Sequence, residues 1–251
     1  MTRAIESYAD LGYTADSAMD ALARMAVEIH SRLNPSCELL GLGDNEYGRH
    51  DICAVAETVK KCTAITYGVE NEYTFELKLR ERFGCDVFAL DPTVNHPAEL
   101  ARGVYFLKWG APSAWLNRKE SAYIIVSPVE FAALVAPGEH IQLLKMDCEG
   151  CEFEIFRDVL EFDPTWFERV RQVALEVHLS KSLGLDSIKA LYGFGHLLQL
   201  LEKSGHELQH VRITNCDISD ESSGVMPQLL DMGFARDGEG HCHNYLFARN
   251  G

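Results

Sequence analysis

The sequence predicts an α/β fold: a doubly wound, Rossmann-like, mostly parallel sheet of seven strands, with a C-terminal antiparallel strand pair and an N-terminal helical extension. Three observations lead there. Short apolar runs recur at Thr63–Tyr67, Asp86–Leu90, Val104–Lys108, Ile141–Met146 and Val170–Val177, the pattern of strands buried on both faces. Helix-like stretches separate them, as parallel connections require. Four of the five runs end in chemically pointed residues: Tyr67-Gly68, Asp91, Asp147-Cys148-Glu149 and Glu176-Val177-His178. In open parallel sheets, ligands bind beyond such carboxyl ends.

The remaining elements follow in order. From Ser17 to Leu33, apolar residues at Met19, Leu22, Met25, Ala26, Ile29 and Leu33 form one helical stripe, stopped by Asn34-Pro35. Gly41, Gly43 and Gly48 mark loops, so residues 1–48 are expected to be a helical extension packed on a core of residues 49–251. A helix is expected from Thr74 to Phe83 and another from Phe194 to Lys203. Leu208–Ile213 and Asn244–Ala248 read as the two terminal strands. The whole chain, 1–251, is expected to be one domain.

Charge narrows the partners. There are 23 Lys+Arg against 38 Asp+Glu, a formal net charge of −15. Such a surface repels phosphate backbones and anionic lipid, so nucleic-acid and membrane-surface partners are disfavoured. No run reaches the ~18 apolar residues of a membrane-spanning helix, and Met1–Glu6 is too polar for a secretory signal. The eight cysteines are spread over a chain large enough to fold without staples. Reduced thiols and a cytoplasmic setting are therefore expected, with a secretory-pathway lumen as the alternative for a trimmed chain.

The strand ends carry the chemistry. Gly68-Val69-Glu70-Asn71-Glu72 sits between a strand and a helix, where nucleotide-binding glycine loops lie. It holds one glycine, and Glu70 and Glu72 would oppose a pyrophosphate there. That argues against NAD, FAD or ATP and suits S-adenosylmethionine, which carries a cationic sulfonium and no phosphate. Asp91 follows Gly68 by 23 residues, close to the ~20 of a carboxylate that grips ribose hydroxyls, although Asp91-Pro92 also fits a plain turn. In Lys145-Met146-Asp147-Cys148-Glu149-Gly150-Cys151-Glu152, three carboxylates crowd one strand-to-helix junction. Crowding of that kind raises pKa values or recruits a cation, and its plainer use is to cap the following helix.

That last string resembles the K-x-D-x-E-G-x-E signature of the FkbM-like, S-adenosylmethionine-dependent methyltransferases. Tyr67-Gly68-Val69-Glu70-Asn71-Glu72-Tyr73-Thr74-Phe75 resembles the first loop of the related methyltransferase-like branch, Phe88–Pro92 its second strand, and Glu176-Val177-His178 its fifth. The likeness runs in order over roughly residues 38–249. It implies a class I methyltransferase that moves a methyl group from S-adenosylmethionine to oxygen on a small molecule or glycan. Tyr67, Gly68, Val69, Glu70, Asp91, Pro92, Gly110 and Asp147 would bind the cofactor, and Asp147, His178 and Glu149 would serve the acceptor. Cys148 and Cys151 fall in the variable slots of the signature, so they are expected to be buried small side chains rather than a zinc or redox pair with His241-Cys242-His243.

His178 beside Glu176 is placed to be a general base. In the other arrangement Asp147, Glu149, Glu176 and His178 share a divalent cation. His30, His50, His206 and His210 are expected to be structural. Two competing functions are a metal-dependent glycosyltransferase built on Asp147 and Glu149, and a non-catalytic binding module on the same fold. Nothing in the sequence addresses the oligomeric state.

Overall fold

A computed structural model describes residues 11–30, 35–44, 48–54, 62–112, 123–178, 187–214 and 242–249. In chain order the elements are α1 (Ala15–His30), β1 (Leu39–Leu42), β2 (His50–Cys53), β3 (Thr63–Tyr67), α2 (Thr74–Phe83), β4 (Asp86–Leu90), β5 (Glu99–Ala101) and β6 (Val104–Leu107). They continue with β7 (Trp109–Gly110), β8 (Ile124–Ile125), α3 (Pro128–Val135), β9 (Leu143–Met146), α4 (Ile155–Phe162), β10 (Gln172–His178), α5 (Ser187–Lys203), β11 (His206–Thr214) and β12 (Cys242–Arg249).

The main sheet has eight strands in the order β11-β12-β10-β9-β3-β4-β6-β5. Strands β10, β9, β3, β4 and β6 are mutually parallel. β12 runs antiparallel to β10, and β11 antiparallel to β12. Seven strands were expected. The eighth, β5, pairs antiparallel with β6 at the edge, and its three residues are too short to show a pattern in the sequence.

The chain enters the sheet at β3, builds outward through β4 and β6, then returns to β9 on the other side of β3. Neighbours β3 and β9 therefore form the point where strand order reverses, the place such sheets leave a crevice. Register sharpens this: Tyr67 pairs with Met146, so Gly68 and Asp147 emerge side by side. Both strands are buried along their whole length, which explains why they read as near-continuous apolar runs, with Lys145 as the charged exception in β9.

The N-terminal region departs most from expectation. It is not only helical. After α1, β1 and β2 form an antiparallel hairpin, and the boundary expected at residue 48 falls inside it. The region covers both faces of the sheet. Leu22 and Met25 of α1 join the core that contains Leu197, Leu201 and Phe194 of α5. Leu42, Ile52 and Cys53 of the hairpin join the opposite core with Phe75 and Leu79 of α2.

The cysteines also depart from expectation. Cys37 pairs with Cys53, Cys62 with Cys85, and Cys148 with Cys151. Cys242 is disulfide-bonded as well. The first bridge ties the hairpin's second strand to the segment before it, and the second joins the residues that precede β3 and β4. Disulfides persist in oxidising compartments and are rare in the cytosol, so the expected reduced thiols and cytoplasmic setting are not supported. Among the described residues no helix is long and apolar enough to cross a membrane. Leu33 and Asn34 from the expected helix end at Asn34-Pro35, the His30 side chain and His241 lie outside what is described.

Candidate active site

The crevice at the carboxyl ends of β3, β4 and β9 holds a cavity of about 190 Å³. Its walls include Tyr67, Gly68, Glu70, Asp91, Pro92, Thr93, Gly110, Asp147, Cys148 and Glu149. Seven of the eight residues expected to hold a cofactor are there. Val69 is the exception: its side chain packs with Ala89 and Phe106 in a small core. Four carboxylates line this cavity, and no lysine or arginine is among the lining residues. The enclosed volume lies below the ~300–1,000 Å³ of typical small-molecule clefts, so only part of a nucleoside-sized ligand fits inside it.

Two backbone features shape the cavity. Gly68 has φ +76°, and a Cβ there would overlap the Asp147 carbonyl, so only glycine fits between these strands. Glu70 (φ +46°) and Glu149 (φ +50°) are the non-glycine residues with positive φ among those described. Each sits on one lip of the cavity. A left-handed conformation costs a non-glycine residue roughly 1–2 kcal/mol, and such strain concentrates at functional sites.

Asp91 explains how Glu70 is held. Its Oδ2 accepts hydrogen bonds from the backbone N–H of Val69 (3.0 Å) and Glu70 (2.8 Å). Its Oδ1 accepts from the Thr93 N–H (2.8 Å) and hydroxyl (2.6 Å). A carboxylate has about four acceptor sites, and all four are engaged within its own loops. The expected two-oxygen grip on a ribose therefore competes with this brace. On the other side, His96 Nε2 donates to the Glu70 carbonyl at 2.6 Å. Burial, and then the charges of Asp147, Glu149 and Asp91, push the Glu70 carboxyl above its ordinary pKa.

Lys145 links the two lips. Buried within β9, its Nζ donates to the Gly68 carbonyl at 2.8 Å and lies 3.6 Å from Asp147 Oδ2 and 4.0 Å from Glu76 Oε1. Its ammonium also stands over the Phe75 ring. Burial opposes its charge, but Asp147 and Glu76 outweigh that and keep it cationic.

Beyond Asp147 lies a compact polar cluster. His178 Nε2 is 3.7 Å from Asp147 Oδ1 and 3.9 Å from Glu176 Oε1. Glu152, fully buried, accepts from both the His178 N–H and its Nδ1 at 3.1 Å. Its second oxygen accepts from the Gly150 N–H at 2.8 Å. Glu152 thus fixes the signature turn and the histidine together, beyond the helix cap that is its plainest sequence reading. Burial alone would lower the His178 pKa, but Glu152, then Asp147 and Glu176, raise it to about 10. Burial pushes Glu176 up to about 7, with Asp147 adding to the shift. Burial would also raise Asp147, yet Lys145, with His50 and His178, holds it well below the usual carboxylate range.

His50 is the residue that sequence reasoning missed. It comes from the hairpin strand β2, far from every motif, and its Nε2 stands 3.4 Å from Asp147 Oδ2. The ring packs edge-on against Phe75, and that nitrogen makes no hydrogen bond of good geometry. Burial, with Lys145 nearby, lowers its pKa to about 4 and keeps it neutral. Only the unusual burial of His50 marks it, and a single sequence does not display burial.

His50, Asp147 and Glu176 bring one donor atom each to within 4.8 Å of one another, a group able to hold a metal ion. Two further groups, Cys148-Cys151-Glu152 and Glu176-His178-Cys242, include cysteines that are oxidised. The set expected from sequence, Asp147, Glu149, Glu176 and His178, does not assemble as one group. Glu149 stands on the cavity lip, and His178 is engaged by Glu152.

Comparison with known families decides the broad class. The model of a methyltransferase domain family matches residues 31–199. The chain belongs to this methyltransferase family. The matched stretch carries β2, β3, β4, β9 and β10, and hence His50, Asp91, Asp147 and His178. No curated protein and no solved structure matches the chain. Membership removes the grounds for the glycosyltransferase alternative.

Proposed function

We propose that this methyltransferase uses S-adenosylmethionine and acts on an oxygen nucleophile of a small molecule or glycan, within an FkbM-like branch. One observation carries the reading: a cavity at the strand-order reversal, lined by Glu70, Asp91, Asp147 and Glu149 with no basic side chain. Such a wall repels phosphate and favours a ligand bearing ammonium and sulfonium charges. Bound there, S-adenosylmethionine supplies a methyl group activated by a positively charged sulfur. Glu70 and Glu149 face that charge from the two lips, and Asp91 holds the loop that carries Glu70.

The chain must then orient the acceptor and remove its proton. The general-base role first read for His178 passes to Glu176. An imidazole with a pKa of about 10 is already protonated at neutral pH, whereas a carboxyl near 7 is matched to that work. His178 then acts as a fixed cation that orients the acceptor oxygen with Asp147. The paired cysteines favour an oxidising compartment for this chemistry.

A second reading, with a divalent cation among His50, Asp147 and Glu176, rests on the unbonded His50 nitrogen. Calorimetric titration with S-adenosylhomocysteine, with and without manganese, tests both. One-to-one micromolar binding independent of manganese supports the proposal. Manganese-dependent turnover would favour the cation reading, and absence of binding under both conditions would overturn the cofactor assignment.

A further inference from the structure

The cystine inside the signature turn differs from the other pairs in span and in place. Cys37–Cys53 and Cys62–Cys85 pack in the core that holds Phe75 and Leu79 of α2. They join residues 16 and 23 positions apart, spans long enough to restrict the unfolded chain. Cys148 and Cys151 are three positions apart, so their bond restricts it far less and does little as a staple. Their Cα atoms lie 5.6 Å apart, an ordinary separation for a cystine. The pair is also asymmetric. Cys148 is half-buried and lines the cavity beside the exposed Glu70, whereas Cys151 is wholly buried in the main core.

The two sides of the turn are held by different means. On the inner side, Glu152 accepts from the N–H groups of Gly150 and His178. The next residue, Phe153, is pressed against α5, where a Cβ at Gly193 would come within 2.3 Å of its carbonyl oxygen. On the outer side, Glu149 and Gly150 have φ of +50° and +107°. That backbone region is unfavourable for a glutamate. The cystine closes Cys148, Glu149, Gly150 and Cys151 into a ring, so it constrains the segment that places the Glu149 carboxylate on the cavity wall.

We propose that Cys148–Cys151 is a reversible dithiol–disulfide switch that sets the position of Glu149 at the cavity lip, with a dithiol reductant as its partner. A reductant thiolate attacks the accessible Cys148 sulfur and forms a mixed disulfide, and the bond to Cys151 breaks with Cys151 leaving as thiolate. The second reductant thiol then displaces Cys148. Two electrons pass to the protein, the reductant becomes a disulfide, and the protons of its two thiols end on Cys148 and Cys151. With the ring open, Glu149 relaxes to a right-handed backbone and its carboxylate leaves the lip, while Glu152 and His178 stay in place. The oxidised chain is then the form that binds a cationic ligand. The effect on cofactor affinity rests on the methyl-donor reading above, and the movement of Glu149 does not.

The test poises the full chain in mixtures of reduced and oxidised dithiothreitol, blocks free thiols with iodoacetamide and maps them by mass. Cys148 and Cys151 are expected to open at a reduced-to-oxidised ratio at least about tenfold lower than any other cysteine. The Glu149 amide resonance should move on reduction and return on reoxidation, while the His178 ring resonances stay. Affinity for S-adenosylhomocysteine should fall about fivefold on reduction, the scale of one partly exposed ion pair. Cys148→Ser should show that lower affinity at every ratio. Glu149→Gln should weaken the oxidised chain to a similar degree and remove the response to reduction. Opening of this pair no easier than of the others, an unmoved Glu149 amide, or tight binding indifferent to reduction would each overturn the proposal. An oxidised chain that binds no S-adenosylhomocysteine would overturn the cofactor assignment instead, and the labelling and the Glu149 resonance would still decide the switch.

Discussion

Asp91 and Asp147 each follow a strand of the same parallel sheet and line the same cavity, yet they are held by opposite means. Asp91 is saturated by four short hydrogen bonds from Val69, Glu70 and Thr93. Asp147 has around its carboxylate Lys145, His50 and His178, at 3.4–3.7 Å. A hydrogen-bonded carboxylate shapes a loop and has little left to offer a ligand. Asp147 lines the cavity while Lys145 and His178 hold its charge and His50 stands at the same oxygen as Lys145. Residue type and position at a strand end are the same, and only the partners differ: backbone N–H groups and a hydroxyl at Asp91, cations and imidazoles at Asp147.

The contrast can be broken most severely at Lys145, which serves both sides. Lys145→Met leaves the buried Glu76 and the half-buried Asp147 without their shared cation and frees the Gly68 carbonyl. A loss of about 3–5 kcal/mol in unfolding free energy is expected, as for other broken buried pairs. Denaturant melts would read it, and a loss below about 1 kcal/mol would show that the pairs are not coupled through this lysine.

Next comes Asp147→Asn, which should lower turnover by about 10²–10⁴-fold and leave S-adenosylhomocysteine affinity within about threefold. Turnover close to wild type in single-turnover assays would remove Asp147 from the acceptor side. Asp91→Ala should behave differently, because it removes a brace. Cofactor affinity and thermal stability should fall together, on the order of 1.5–3 kcal/mol for the charged hydrogen bonds lost. Weakened binding with an unchanged melting temperature would instead make Asp91 a direct ligand contact.

The smallest effect concerns pH. The folded His178 pKa of about 10 exceeds the ordinary 6.5. Its contribution to stability is therefore fully present below about pH 6.5 and is lost as pH rises through 10. Glu152→Gln should bring the imidazole pKa down by about one unit or more and flatten that decline. Imidazole titration by NMR checks the first point and melts between pH 6 and 10 the second. An unshifted His178 would mean that Asp147 and Glu176 alone sustain its charge.

Much of this was legible in the sequence. Thr63–Tyr67 and Asp86–Leu90 are strands over the expected residues, because mostly buried central strands leave a near-continuous apolar and β-branched trace. Helix α2 also falls where expected, between Thr74 and Gly84, whose left-handed φ ends it. What stayed hidden depended on tertiary approach. The Asp91 brace needs the left-handed turn at Glu70, which no local rule assigns to a glutamate. His50 reaches the site only because the hairpin folds over α2. Two of the disulfides join residues 16 and 23 positions apart, spacings without a motif, whereas the third closes the C-x-x-C of Cys148 and Cys151, two residues expected as small side chains rather than a pair. The strand β5 and the paired β7 and β8 are too short for periodicity to register.

The hairpin has a practical consequence for anyone shortening this protein. A fragment that begins just before β3 would retain the first loop, Asp91, the whole signature and His178, and by motif inspection it would look complete. It would lack the imidazole beside Asp147, the cystine joining Cys37 to Cys53, and the apolar cover over Phe75 and Leu79. Inactivity of such a fragment would say nothing about the signature. The packing that surrounds Asp147 starts well upstream of the first recognisable motif.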